Sequence, residues 1–261
     1  MTKFCSLSSS SSGNCVLISD GKTNILVDCG ISKRRTVDAL GCAGIDADNI
    51  DAILVTHEHS DHIGGIGAMS RAFDIPVYAN APTWEAMEAS LGKIVQKNIK
   101  LITSNEEFEI NTMAAKAFDT PHDATSSVGY SFETSNLKMS VATDMGCMTQ
   151  SVMEGILGSD IILLEANHDV EMLKKGRYPE VLKKRILGEF GHLSNDVAAQ
   201  TAVKLLQSGT RAILLGHLSE ENNNPDIAYN IVRRALCDAG ASIDKDIRLA
   251  VANKYAVSGM F

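Results

Sequence analysis

The chain is 261 residues long, 44% hydrophobic and 21% charged, with a formal net charge of −8. That balance fits a globular protein with a large core and excludes a generally basic surface made to coat nucleic acid. An anionic substrate therefore needs positive charge gathered at one site, which bound metal can supply. "MTKFCSLSSSSSGNC" lacks the apolar stretch of a signal peptide, and no apolar run reaches membrane-spanning length. Six scattered cysteines form no C-x-x-C pair and read as free thiols of a cytoplasmic protein.

In chain order, the serine run Ser8–Ser12 lies between "FCSL" and "CVLIS", which makes it a hairpin loop between two strands. "NILVDCG" is the next strand, followed by a helix from Ser32 to about Gly41 and a strand over Asp51–His57. "GGIGAMSRAF" reads as a helix, "PVYAN" as a short strand, and "PTWEAMEASL" as a helix with Pro82 in its first turn. The pattern is β from Lys100 to Ala142; beyond it helices and strands alternate to a closing strand. No linker or repeat divides the chain, so residues 1–261 are expected to form one domain of mixed α and β.

Four apolar strands finish on a ligand-type residue: "AILVTH" at His57, "AFDTPH" at His122, "MSVATD" at Asp144 and "AILLGH" at His217. Strand ends along one rim are where a sheet fixes side chains while loops keep them open. The densest chemistry is "THEHSDHIGG", with His57, His59, Asp61 and His62. Chance would give H-x-H-x-D-H in a chain of this composition on the order of one time in a few thousand. Imidazole and carboxylate suit Zn²⁺, Mn²⁺ and Fe²⁺. Two such ions about 3.5–4 Å apart can share a hydroxide and clamp both oxygens of a displacement at phosphorus.

"THEHSDH", with Asp28 in "NILVDCG", the "PH" of His122, the "TD" of Asp144 and the late His217, resembles the signature of the metallo-β-lactamase superfamily. The resemblance implies an α+β fold: an αββα sandwich of two β-sheets with helices on both outer faces and two divalent metal ions, Zn or Mn with Fe also possible, at one edge. By similarity His57, His59 and His122 hold one ion, Asp61, His62 and His217 the second, and Asp144 bridges them. Asp28 stands behind the ligands and orients them by hydrogen bonds. Retention of His62 points away from the antibiotic hydrolases of this fold.

Two short stretches repeat, "GHLSN" at Gly191–Asn195 and "GHLSE" at Gly216–Glu220. His217 ends an apolar strand, whereas His192 precedes the amphipathic helix "NDVAAQTAVKLLQ", with Ser194 or Asn195 as its cap. "LLEANH" followed by "GHLS" is similar to the phosphodiesterase branch typified by RNase Z, in which a Glu and a His, here Glu165 and His192, serve the leaving oxygen. A carboxylate beside an imidazole favours its protonated form. Asp61, Glu165 and His192 are thus the catalytic candidates. His168 is an added histidine that suits a ligand, a phosphate contact or a surface residue.

"SLSSSSSGNC", "LEANHD" and "GHLSN" together are most similar to the YycJ/WalJ family, compact bacterial members of the superfamily. That similarity implies a 5′-3′ exonuclease with nucleic acid, DNA rather than RNA, as substrate. Ser12, Asn14 and His168 are the substrate-binding candidates, the serine hairpin offering hydroxyls and N–H groups to a phosphate. A thioester or lactone hydrolase of the same fold, or a regulatory protein with a vestigial site, stays open at this stage.

Because the chain is acidic, its affinity for nucleic acid rests on the site and on a few local cations such as Lys33, Arg34 and Arg35. The logarithm of the binding constant should therefore fall with log salt at a shallow slope, equivalent to about two to four phosphates. A salt titration giving a slope near ten would reveal a large basic footprint instead.

Overall fold

The computed structural model describes residues 2–259 and 261. β1 (Lys3–Ser8), β2 (Cys15–Ser19) and β3 (Asn24–Val27) form an antiparallel meander. The serine run turns the first hairpin, as its flanking strands predict. β4 (Ala52–Leu54), β5 (Val77–Asn80) and β6 (Ile99–Ile102) then add in parallel, completing a six-stranded sheet in chain order. Parallel neighbours need crossovers, and these contain α1 (Lys33–Cys42), α2 (Ser60–Ile63), α3 (Ile66–Phe73) and α4 (Ala81–Leu91).

The second sheet repeats that plan. β7 (Glu107–Ile110), β8 (Met113–Asp119), β9 (Val128–Glu133) and β10 (Lys138–Ala142) pair antiparallel. β11 (Ile161–Glu165), β12 (Ala212–Gly216) and β13 (Arg248–Val251) extend the sheet in parallel. Their crossovers contain α5 (Gln150–Ile156), α6 (Val170–Lys175), α7 (Glu180–Ile186), α8 (Asn195–Gln207) and α9 (Pro225–Asp238). Ser194 caps α8 as the sequence predicts, accepting from the Val197 N–H, and Asn80, not foreseen as a cap, accepts from the Thr83 N–H at α4.

The side-chain alternation of a strand sorts the core into three layers. Val16, Ile18, Ile25, Val27, Ala52 and Leu54 pack with Tyr130, Phe132, Leu163 and Leu214 between the sheets. Cys15, Leu17, Leu26 and Ile53 point the other way, against Leu40, Met69 and Met87 of α1, α3 and α4. On the far side Ile162, Leu164, Ile213 and Leu215 meet residues of α5, α8 and α9. β12, and β11 as far as Glu165, are therefore unbroken apolar runs, since both of their faces are covered; each large apolar side chain so buried contributes about 1.5–3 kcal/mol. The architecture is the αββα sandwich. Among the described residues no helix is long and apolar enough to cross a membrane, and the six cysteines are free thiols.

The sheets are tied where β4 runs out towards His57. The Tyr130 hydroxyl on β9 donates to the Val55 carbonyl at 2.7 Å, and the Val128 N–H donates to Thr56 at 3.0 Å. Tyr130 is fully buried. Tyr130→Phe should therefore cost about 1 kcal/mol of stability, seen as a lower denaturant midpoint with an unchanged m-value. An unchanged midpoint would show that this bond does not secure the segment.

Candidate metal centre

The candidate ligands leave the sheets just past the strands. β4 stops at Leu54, three residues before His57; β8 stops at Asp119, three before His122; β10 stops at Ala142, two before Asp144; β12 stops at Gly216, one before His217. Pairing ends earlier than the apolar runs suggest because the site needs backbone that a ladder forbids. Asp28, Asp144 and His217 have φ of 58°, 57° and 55°. Asp and His enter this left-handed region more readily than most residues but still at a cost, roughly 1–3 kcal/mol each.

Hydrogen bonds fix how the rings face. The Thr56 hydroxyl donates to Asp28 Oδ2 at 2.8 Å, so it can only accept from His57 Nδ1 at 2.9 Å. The lone pair of His57 is thereby placed on Nε2, 3.0 Å from His59 Nδ1. Asp28 Oδ1 accepts the Thr56 N–H, and Oδ2 accepts from His62 Nδ1 at 2.7 Å. His122 Nδ1 donates to the Gly191 carbonyl at 3.2 Å. Ring nitrogens of His57, His59 and His122 lie within 4.8 Å of one another. Asp28 thus holds the His62 ring directly and the His57 ring through the Thr56 hydroxyl, although no short-range pattern reveals Thr56 as its partner.

A second group lies alongside. Asp61, His62 and His217 converge in the same way, as do His57, His62 and Asp144. His62 Nε2 lies 3.4 Å from both Asp61 Oδ2 and Asp144 Oδ2, and Asp144 Oδ1 lies 3.7 Å from His122 Nε2. Asp144 therefore stands between the groups. Gly30 allows this packing: a Cβ there would fall 1.6 Å from the Asp61 carbonyl oxygen. The Gly30 N–H donates to the Asn14 carbonyl and the Asn14 N–H to that of Asp61, both at 2.8 Å.

One buried carboxylate connects the two GHLS stretches. Glu165 Oε1 accepts from His192 Nδ1 and from His217 Nδ1, each at 2.9 Å. Its Oε2 accepts the Met145 N–H at 2.9 Å and the Leu193 N–H at 3.3 Å. The two histidines differ in exposure, their side chains being 20% and 3% exposed. His217 faces into the group with Asp61 and His62; His192 reaches the rim.

The electrostatics call for a cation. Burial would raise the Asp61 and Glu165 carboxyls. The bonds and charges of His62 and His217 on the first, and of His192 and His217 on the second, outweigh it and hold both below the usual carboxylate range. Burial opposes charge on His217, yet Asp144 and Glu165 push it up to about 9. Burial and the neighbouring rings hold His57 well below its ordinary value. His122 Nε2, Asp144 Oδ2 and His217 Nε2 are buried polar atoms without a hydrogen-bond partner. Buried carboxylates and aligned imidazole lone pairs are a donor set that fits divalent ions.

The remaining predicted residues are placed differently. Asn14 reaches the site: its Nδ2 lies 3.3 Å from Asp61 Oδ2 and 3.1 Å from His62 Nε2, while its Oδ1 accepts the Ser10 N–H. Ser12 is exposed and donates to Glu220 at 3.1 Å. His168 joins none of the ligand groups. It is buried with both ring nitrogens unpartnered, and burial lowers it to about 4, so its ring is neutral.

Comparison with known proteins places these features in a wider set. The family model for a beta-lactamase superfamily domain matches residues 23–217. Exodeoxyribonuclease YycJ of Bacillus anthracis is 36% identical over 240 residues, 92% of this chain and 91% of that protein. Exodeoxyribonuclease WalJ of Streptococcus pneumoniae is 35% identical over 249 residues, 95% and 93% of the two chains. Among solved structures, the metallo-β-lactamase-fold protein YhfI of Bacillus subtilis superposes with a TM-score of 0.72 at 16% identity, covering 99% of this chain and all (100%) of that one.

The four donors on Glu165 make a specific prediction. An amide cannot accept from all of them, because its NH₂ must face either the two rings or the two backbone N–H groups. Glu165→Gln should lower divalent-ion affinity about 10- to 100-fold and cost about 1–3 kcal/mol of stability. Metal titration and denaturant unfolding read these two effects. Wild-type values in both would show that the carboxylate holds neither ring.

Proposed function

Because the chain belongs to the beta-lactamase superfamily, within its YycJ/WalJ group, we propose that it is a single-domain 5′-3′ exonuclease acting on DNA. It is a metal-dependent hydrolase. In this reading His57, His59 and His122 hold one divalent ion, Asp61, His62 and His217 hold a second, and Asp144 serves both. Zn²⁺ and Mn²⁺ suit this donor set, and Fe²⁺ is compatible with it. Ions so held withdraw charge from phosphate oxygens and make a nucleophile available from water at neutral pH.

The chain's own groups do the rest. Asp28 and Thr56 lock His57 and His62 in one tautomer each. Asp61, kept ionised, orients the attacking water as a hydrogen-bond acceptor. Ser12 offers an exposed hydroxyl and Asn14 its side-chain amide as substrate contacts, whereas His168, read from the sequence as a third, is too deeply buried to reach a substrate. Reduced thiols agree with a cytoplasmic location.

The observation that carries the reading is the His192–Glu165 pair at 2.9 Å. A thiolate leaves without a proton, whereas a nucleotide alkoxide needs one. With Nδ1 committed to Glu165, the remaining nitrogen of the half-buried His192 is left to deliver it.

His192→Ala should keep both ions, because it removes no proposed ligand. It should slow cleavage of a nucleotide diester about 10²–10⁴-fold and slow an activated nitrophenyl diester much less. Equal losses on both substrates would assign His192 to phosphate binding. Hydrolysis of a thioester with no activity on either diester would overturn the phosphodiesterase reading.

A further inference from the structure

Tyr255 is 72% exposed, and besides Phe190 it is the one aromatic ring among the strongly exposed large hydrophobic residues described. Phe190 lies two residues before His192, and its carbonyl accepts the Asp123 N–H beside His122. Tyr255 lies on the other side, by the serine hairpin. Its ring centroid is 4.9 Å from Lys254 Nζ and 5.8 Å from Arg35 Cζ.

This corner is built onto the candidate metal centre. The Ser8 hydroxyl lies within hydrogen-bonding distance of the Lys254 carbonyl, 2.9 Å, and Lys254 pairs with Glu220, which also accepts from Ser12. A cleft of about 490 Å³ runs past Tyr255, Lys254, Glu220, Ser10 and Ser9. The Ser9 hydroxyl in its lining accepts the backbone N–H of His217 at 2.8 Å, so one hydrogen bond separates the cleft from the backbone that carries a candidate ligand. Arg35 reaches the corner from α1, which begins three residues after the Gly30 that packs on Asp61. In a chain of net charge −8, Lys33 and Arg35 are exposed and have no carboxylate partner among the described residues.

We infer that Tyr255, flanked by Arg35 and Lys254, is a stacking platform for an unpaired nucleotide base, so that the substrate is held as a single-stranded end leading to the metal centre. The inference rests on the phosphodiesterase reading. The Lys254 ammonium and the Arg35 guanidinium lie over the ring, so a base stacks on its π-face by displacing one of these flexible side chains, and both supply charge for the adjoining phosphates. Bases inside a duplex already stack on each other, so only an unpaired one can use the ring.

The test uses the full chain reconstituted with Mn²⁺ and a fluorescein-labelled phosphorothioate oligothymidylate, which resists cleavage, read by anisotropy. Tyr255→Ala should weaken binding about 5- to 150-fold, Tyr255→Phe should bind as wild type, and a blunt phosphorothioate duplex should show no comparable loss. On a cleavable single strand Tyr255→Ala should raise KM and move kcat little. Thermal melting establishes that the variant is folded. Wild-type affinity in folded Tyr255→Ala would overturn the inference, as would an equal loss on single strand and duplex. If wild type cleaves no diester while the single-strand loss persists, the platform stands and the phosphodiesterase reading falls.

Discussion

Everything at this site depends on how one buried carboxylate is satisfied. Glu165 is fully buried at the end of β11 and accepts from two imidazoles and two backbone amides. A carboxylate so placed costs several kcal/mol unless it is fully paired, and here both oxygens are used. The same pairing orients His192 and His217 and anchors the loops through Met145 and Leu193. The repeated GHLS stretches thus present their histidines to a common acceptor from opposite flanks. They differ in what the second ring nitrogen meets: the ligand group for His217, the rim for His192.

Asp28 has the corresponding part in the first sheet. It lies just past β3, takes a left-handed backbone, and uses both oxygens on Thr56 and His62. Each half of the sandwich therefore supplies a buried acid that holds ligand rings from behind, Asp28 gripping His62 directly and His57 through Thr56, and the groups those rings belong to meet where the sheets join. Asp144, two residues past β10, is shared by them. Left-handed backbone at Asp28, Asp144 and His217 is stored strain, maintained because strands on one side and hydrogen bonds on the other leave the chain little alternative.

Positive charge is in the minority. With acids in excess over the whole chain, the cations that matter are at the rim: Arg35 and Lys254 at Tyr255, and Arg185, which pairs with Asp123 beside His122.

The sequence by itself determined the ligand types and a mixed α and β pattern, and through its resemblance to the metallo-β-lactamase superfamily it implied the sandwich. Runs such as "AILLG" and "IILLE" demand burial on both faces, and H-x-H-x-D-H concentrates imidazole and carboxylate too densely for chance. Those are local properties, readable from periodicity and residue chemistry. Where the strands end was less legible, because the left-handed turns at Asp144 and His217 are imposed by tertiary bonds. Only the tertiary structure decided that Glu165 serves His217 as well as His192, partners 52 and 27 residues away. It also decided that Gly30 seats Asp61, that Thr56 sets the tautomer of His57, and that Tyr255 stands between Arg35 and Lys254. Each of these depends on atoms far apart in the chain meeting within hydrogen-bond or van der Waals reach, and no one-dimensional pattern encodes that distance.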